Sequence, residues 1–218
     1  MKRWVLALAL CAGACSTPPP AAENRDPHGP TEVDDYIERL ESPTRLAELR
    51  PDVVIERLGP APNAWVADIG CGPGVFALPF ARAVPKGLVF AADVEPRQLD
   101  RLRARVADDD VHNVVPVLAS LDDPHLPEGR FDVIFIGDTY HHFVERVAYV
   151  RDLARLLVPG GRLAILEYKP GPLPVGPPPE HKLGEGQLER ELTEAGWQLE
   201  ARFDTHTWHD FQVWVPAR

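Results

Sequence analysis

The chain has 218 residues, 44% hydrophobic and 26% charged, with a formal net charge of −10. That length and composition support one full hydrophobic core and leave little over for a second domain. So acidic a balance argues against nucleic acid as a partner, because phosphate binding needs clustered Lys and Arg.

The first thirty residues differ from the rest. Lys2 and Arg3 precede an apolar run from Trp4 to Leu10, and Ala12, Gly13 and Ala14 lead to Cys15. Residues 1–14 read as a signal peptide whose apolar stretch is too short to span a bilayer. Small residues directly before a cysteine resemble a bacterial lipoprotein cleavage site, although Ala12 stands where leucine is usual. That resemblance implies lipidation at Cys15 and a domain anchored outside the cytoplasmic membrane. The alternative is a cytoplasmic protein with an apolar amino terminus. Residues 15–30 form a Pro-rich polar tether with no means of packing. With Cys15 as the anchor, Cys71 is the one thiol of the mature domain, 31–218, and no internal disulfide is possible.

From Thr31 to Leu58 the pattern predicts one or two amphipathic helices with an apolar face at Tyr36, Ile37, Leu40, Leu46 and Leu49. Trp65 to Ile69 is an apolar run with an acid, Asp68, near its end. Three glycines at alternate positions follow: Gly70, Gly72 and Gly74. A helix starting near Pro73 or Gly74 is then predicted. Such a strand, tight loop and helix start lets the backbone approach a ligand closely and aims unpaired N–H groups at it. Gly87 to Asp93 reads as the next buried strand. Its closing acid, Asp93, sits about twenty residues beyond the loop, where doubly wound folds place the group that takes ribose hydroxyls. The spacing G-x-G-x-G differs from the G-x-G-x-x-G of dinucleotide sites, which puts a pyrophosphate on the helix end. Glycines serving packing alone are the other reading.

Pro96 to Ala107 is a predicted helix and Val114 to Leu118 a strand that Pro116 confines to an edge or a bend. A turn-rich loop from Ser120 to Pro127 leads to Phe131–Gly137, apolar enough for the middle of a parallel sheet. A helix is predicted from Val144 to Val158, closed by Pro159-Gly160-Gly161, then a strand from Arg162 to Tyr168. Pro170 to Pro179 is either a stiff pocket wall ending at His181 and Lys182 or a surface connection. After a helix over Gly184–Ala195, strands Trp197–Asp204 and Thr207–Val215 lie so close that only an antiparallel pairing is possible. Strands alternating with helices imply an α/β, doubly wound sheet closed by that hairpin.

The segments VADIGCGPG, AADVEP, FDVIFIGDTYHHF, LLVPGGRLAILEYKP and AGWQLEARFD, in this order, resemble the quinone-biosynthesis-type branch of the class I S-adenosylmethionine (AdoMet) methyltransferases. The resemblance runs from about Pro51 to the carboxy terminus. It implies a Rossmann-like fold with a seven-stranded, mostly parallel sheet, AdoMet as cofactor, and methyl transfer to a small-molecule acceptor. It implies cofactor contacts at Asp68, Gly70, Gly72, Gly74, Asp93, Val94, Leu121 and Asp122, and an amino-terminal segment over the cleft. It names no acceptor.

Asp138, Tyr140, His141 and His142 follow the fourth strand, beside where the methyl group would point, and are the candidate catalytic residues. A histidine titrating near neutrality can deprotonate a phenol or enol as it attacks. Helix capping or packing is the competing role for each. A different function uses His141, His142, His181, His206 and His209 as metal ligands on an exported nucleoside- or metal-binding protein without methyl transfer. No tight ligand spacing supports a metal, and strand alternation predicts that His206 and His209 point to opposite faces. An exported domain would also not obviously meet AdoMet, which is made in the cytosol.

Overall fold

The computed structural model describes residues 33–217, so the signal peptide and tether lie outside the described residues. Three short helices open this part: α1 (Val33–Leu40), α2 (Pro43–Leu49) and α3 (Pro51–Leu58). One or two were predicted. Pro43 and Pro51 each occupy a first-turn position, where a missing N–H costs nothing, and so restart the helix twice. Ser42 caps α2 by accepting from the Arg45 backbone N–H, and Arg50 in the left-handed region (φ 43) joins α2 to α3.

The strands are β1 (Trp65–Ile69), β2 (Leu88–Asp93), β3 (Val114–Leu118), β4 (Phe131–Gly137), β5 (Leu157–Tyr168), β6 (Trp197–Phe203) and β7 (His209–Pro216). They form one seven-stranded sheet in the order β3-β2-β1-β4-β5-β7-β6. The first five are parallel, while β7 runs antiparallel to both β5 and β6. Pro116 lies in the edge strand β3, and the apolar β4 is central. Helices α4 (Ala77–Ala83), α5 (Pro96–Asp108), α6 (Arg146–Leu153) and α7 (Gln187–Glu194) complete the alternation.

One predicted boundary is wrong for an informative reason. The helix expected over 144–158 ends at Leu153, followed by a single 3-10 turn over Ala154–Leu156. Strand β5 begins at Leu157, which already pairs with Phe131, and the register slips before Val133 meets Arg162. Pro159-Gly160-Gly161 is therefore a bulge inside a strand and no helix stop. A Cβ on Gly161 would lie 2.7 Å from the Phe131 carbonyl oxygen, so only glycine fits there.

Both sheet faces are buried. Val54, Phe76, Phe80, Leu99 and Leu102 pack from α3, α4, α5 and the loop before α4 against Val66, Phe135 and Leu166. On the other face Val150, Leu153 and Leu192 of α6 and α7 meet Ile134, Ile165 and Trp214. The Trp197 indole donates to the Val150 carbonyl (2.9 Å), fixing the hairpin to α6. This topology brings the carboxy-terminal ends of β1, β2, β4 and β5 to one edge. Because β7 is antiparallel, its first residue joins them there: Tyr168 pairs with His209. In open α/β sheets that edge is where ligands bind.

Candidate active site

Strand β1 delivers Asp68 and the loop behind it. Gly70 and Cys71 both donate their backbone N–H to the Ala92 carbonyl (2.8 and 3.1 Å), so the loop hangs on the end of β2. Gly70 has φ 71, and a Cβ there would overlap the Thr139 side chain. Gly74 has φ 88 and lies against Leu102. Positive φ at Gly72 and Gly74 also delays the helix, which starts at Ala77 instead of Pro73 or Gly74. Asp93 spans loop and strand: Oδ2 accepts from the Gly72 N–H (2.8 Å) and Oδ1 from the Glu95 N–H (2.9 Å). Burial raises its carboxyl, and these two N–H groups oppose that rise.

Asp68 is 2% exposed, and its Oδ2 has no hydrogen-bond partner. Burial, then the neighbouring Asp93 charge, push its carboxyl up to about 8 against one opposing backbone N–H at Ala77. Gln98 is also buried with an unpartnered Oε1, 3.7 Å from where a Gly72 Cβ would sit. Two buried acids and an amide, with no cation among the groups acting on Asp68, suit a ligand carrying an ammonium group and hydroxyls. AdoMet has that donor set. Val94 is half-buried against the core, and Leu121 is half-buried in its loop. Asp122 is exposed, and its hydrogen bond from the Ser120 hydroxyl (2.7 Å) holds its carboxyl below the usual range. Burial raises the Cys71 thiol well above its ordinary value, so it packs as a small apolar group.

The amino-terminal helices lie over this loop. Leu40 of α1 comes within 3.4 Å of where a Gly72 Cβ would be. Burial raises the Tyr36 hydroxyl; Arg45 opposes that, while Asp138 and Asp93 reinforce it, so Tyr36 sits between the two halves of the cleft. Glu41 accepts from Arg101 (3.0 Å) and faces Arg105 (3.4 Å), clasping α1 to α5.

Past β4 the chain turns at Asp138, a non-glycine residue with φ 48 whose N–H donates to Leu166 (2.8 Å). Arg45 donates to Asp138 Oδ2 (2.5 Å) and also to the Tyr168 hydroxyl. His209 Nε2 reaches the same Oδ2 (3.1 Å). Burial would raise the Asp138 carboxyl, but Arg45 and His209, aided by His141, hold it below the ordinary range. Tyr140 is fully buried, and its hydroxyl donates to Glu191 (2.8 Å), which Arg146 also grips. Burial and Glu191 push that hydroxyl far up, so it ties the chain after β4 to α7. His141 Nδ1 faces the Glu167 carboxylate (2.9 and 3.0 Å), and the His142 ring lies 4.1 Å from the His141 ring.

The sequence reading did not single out Arg45, Gln98, Glu167 or Tyr168. For Glu167 a signal existed, an acid closing an otherwise apolar strand; for Arg45 none did. The prediction for His206 and His209 is corrected: both are buried, with rings 6.1 Å apart. Alternation fails because His206 precedes β7 and belongs to the turn. Its Nε2 donates to Leu49 (2.9 Å) and its Nδ1 takes the Thr205 hydroxyl (2.9 Å). Among the described residues no group of three or more His, Cys, Asp or Glu could hold a metal ion. The Pro-rich segment folds onto the site: Lys182 donates to the Gly171 carbonyl, and a Cβ on Gly176 would overlap the Tyr168 ring.

Residues 66–161 match the family model described as "Methyltransferase domain". The chain is 33% identical over 138 residues to 27-O-demethylrifamycin SV methyltransferase of Amycolatopsis mediterranei, covering 62% of this chain and 48% of that protein. It is 37% identical over 120 residues to the ubiquinone/menaquinone biosynthesis C-methyltransferase UbiE of Ectopseudomonas mendocina, covering 54% and 47%. It thus spans about half the length of the curated relatives it matches. The crystal structure of a SAM-dependent methyltransferase from Aquifex aeolicus superposes with a TM-score of 0.79 at 25% identity, covering 85% of this chain and 98% of that one. The centre of the chain thus matches a methyltransferase domain, and the described residues share their fold with a SAM-dependent methyltransferase.

Proposed function

We propose that the protein transfers a methyl group from AdoMet to a small-molecule acceptor. The observation that carries this is Asp68, a buried carboxyl with an unpartnered oxygen directly before the glycine loop and beside Asp93. On this reading Asp68 faces the amino-acid end of the cofactor, Asp93 the ribose, and Val94, Leu121 and Asp122 the base. The bound cofactor supplies an electrophilic methyl on a sulfonium. The chain's own task is alignment and the exclusion of water, for which α1, α2 and the Pro-rich segment are the covering pieces. His141, oriented by Glu167, stands with Asp138 and His142 at the acceptor side. The relatives named above concern a rifamycin and quinone biosynthesis, so phenols and quinols head the acceptor screen.

Calorimetric titration of AdoMet and S-adenosylhomocysteine tests the reading, with Asp93→Ala as control. Micromolar binding lost in the variant supports it, and no binding by folded wild type sinks it. We propose further that Cys15 carries a lipid, on the strength of Lys2, Arg3, the apolar run and Ala12-Gly13-Ala14. Labelled fatty acid incorporated by wild type but not by Cys15→Ser is the expected result. Equal labelling of both rejects it. Among the described residues no helix is long and apolar enough to cross a membrane.

A further inference from the structure

We propose that His209, held by Asp138, is the proton acceptor for the methyl-accepting group, and that with Arg45 it selects an uncharged phenol or enol bearing a second oxygen beside the hydroxyl. The inference rests on the methyltransferase reading and adds a residue and an acceptor class to it.

Three buried polar atoms without partners fall in one bonded cluster: Asp138 Oδ1, Arg45 Nε and His209 Nδ1. A buried polar atom left unmet is costly, so three together mark a place prepared for a ligand. The cluster is built from distant parts of the chain. Asp138 comes from the end of β4, Arg45 from α2, Tyr168 from the end of β5 and His209 from the start of β7. Tyr168 fixes the arrangement, with the His209 ring 4.3 Å from its own and the Arg45 guanidinium carbon 5.3 Å from its centroid.

The roles follow from charge and hydrogen count. The Arg45 charge is already met by Asp138, so the cluster does not call for an anion. With Asp138 ionised, His209 donates through Nε2 and presents a bare lone pair at Nδ1. His206, by contrast, has both nitrogens used. What remains buried and unpartnered is a base at Nδ1, a donor at Arg45 Nε–H and an acceptor at Asp138 Oδ1. A hydroxyl next to a carbonyl or a second hydroxyl matches that set. In the step, the acceptor O–H bond breaks, its proton goes to His209 Nδ1 and its electron pair stays on oxygen. The imidazolium so formed is stabilised by the Asp138 carboxylate. Arg45 arrives on the covering helix α2, so admission of the acceptor involves lifting that helix.

The test uses the full-length chain saturated with S-adenosylhomocysteine and 4-nitrocatechol, whose absorbance reports its ionisation. The groups facing His209 are Asp138, Arg45, Tyr168 and His206, and all remain in the wild type. Wild type is expected to bind the probe and raise its ionised-to-neutral ratio about tenfold over free solution at the same pH. His209→Gln and Asp138→Asn are expected to bind S-adenosylhomocysteine normally but to lose that rise. Asp138→Asn decides the matter if His209→Gln fails to fold. The proposal is overturned if wild type binds S-adenosylhomocysteine but not the probe. It is equally overturned if the rise survives either variant, or survives both and is lost in His141→Gln. Failure to bind S-adenosylhomocysteine at all instead removes the methyltransferase reading beneath it, and this proposal with it.

Discussion

The two halves of the proposed site, cofactor and acceptor, are made in opposite ways. Most of the cofactor half lies in one stretch, residues 66–98, where a strand, a loop, a helix and a second strand follow each other; Leu121, Asp122 and the Thr139 side chain against Gly70 come from further along. The acceptor half joins Arg45, Asp138, Tyr168 and His209, which meet only once the sheet has formed. A site built mostly from one stretch needs few distant contacts, such as Thr139 on Gly70 and Leu40 on Gly72. One assembled from four distant segments depends on charge to hold it, and that charge is concentrated on one carboxylate, Asp138.

The largest expected effect concerns the cofactor half without ligand. The native state keeps a proton on Asp68 up to about pH 8, whereas the unfolded chain releases it near 4. Between those limits the native state binds more protons, so its stability falls as pH rises, by roughly 1 kcal/mol per pH unit. Asp68→Asn is expected to flatten that slope, as read by urea denaturation across the range. Saturation with S-adenosylhomocysteine is expected to flatten it too, because its ammonium group favours the ionised carboxyl. An unchanged slope in the variant would mean that the cofactor half is not organised around a buried, cation-seeking acid.

Next in size is Gly70→Ala. The new methyl overlaps Thr139 and the residue keeps a φ of 71, so a loss of about 3 kcal/mol is expected from strain and overpacking together. Adding Thr139→Gly should recover the packing share and leave the backbone share. A loss near zero in the single variant would show that this half yields to its neighbours, against the contrast drawn above.

The same contrast explains what was legible beforehand. The order of elements along the chain and the glycine loop, with Asp68 before it and Asp93 closing the next strand, could be read because hydrophobic period and glycine spacing are local properties. Pro159-Gly160-Gly161 looked like a helix stop, since a stop and a bulge have the same composition. Only the distant carbonyl of Phe131, pressed on Gly161, decides between them. His206 and His209 were misplaced because alternation was extended into a turn. Arg45 was illegible altogether, as one of several arginines spread over the amino-terminal helices. Its partner Asp138 lies 93 residues away and is met only through the topology.

Arg45→Ala probes that dependence directly. Arg45 and Asp138 are 16% and 7% exposed, and removing one member of so covered a pair leaves a carboxylate to His209 alone. About 2 kcal/mol of stability should be lost, less than for a fully buried pair because Arg45 keeps some exposure to water. The cofactor half should scarcely notice, with the S-adenosylhomocysteine Kd changing less than about threefold. A much larger change in affinity would mean that the two halves are one cooperative unit, and that their separate construction has no energetic counterpart.

The smallest effect lies where the halves touch. Glu41 holds α1 to α5 through Arg101, whose side chain is 44% exposed, so the ion pair should contribute no more than about 0.5 kcal/mol to global stability. Its kinetic role is larger, because α1 carries Leu40 over Gly72 and Tyr36 between Asp93 and Asp138. Glu41→Ala should therefore speed both association and release of S-adenosylhomocysteine by a few fold in stopped-flow measurements, with little change in Kd. Raising the salt concentration should do the same to wild type, since exposed pairs are screened, and nothing further to the variant. Rates that move with salt equally in both proteins would place the control of entry away from this clasp, at Arg45 and Asp138. The acceptor half would then govern access to the cofactor half.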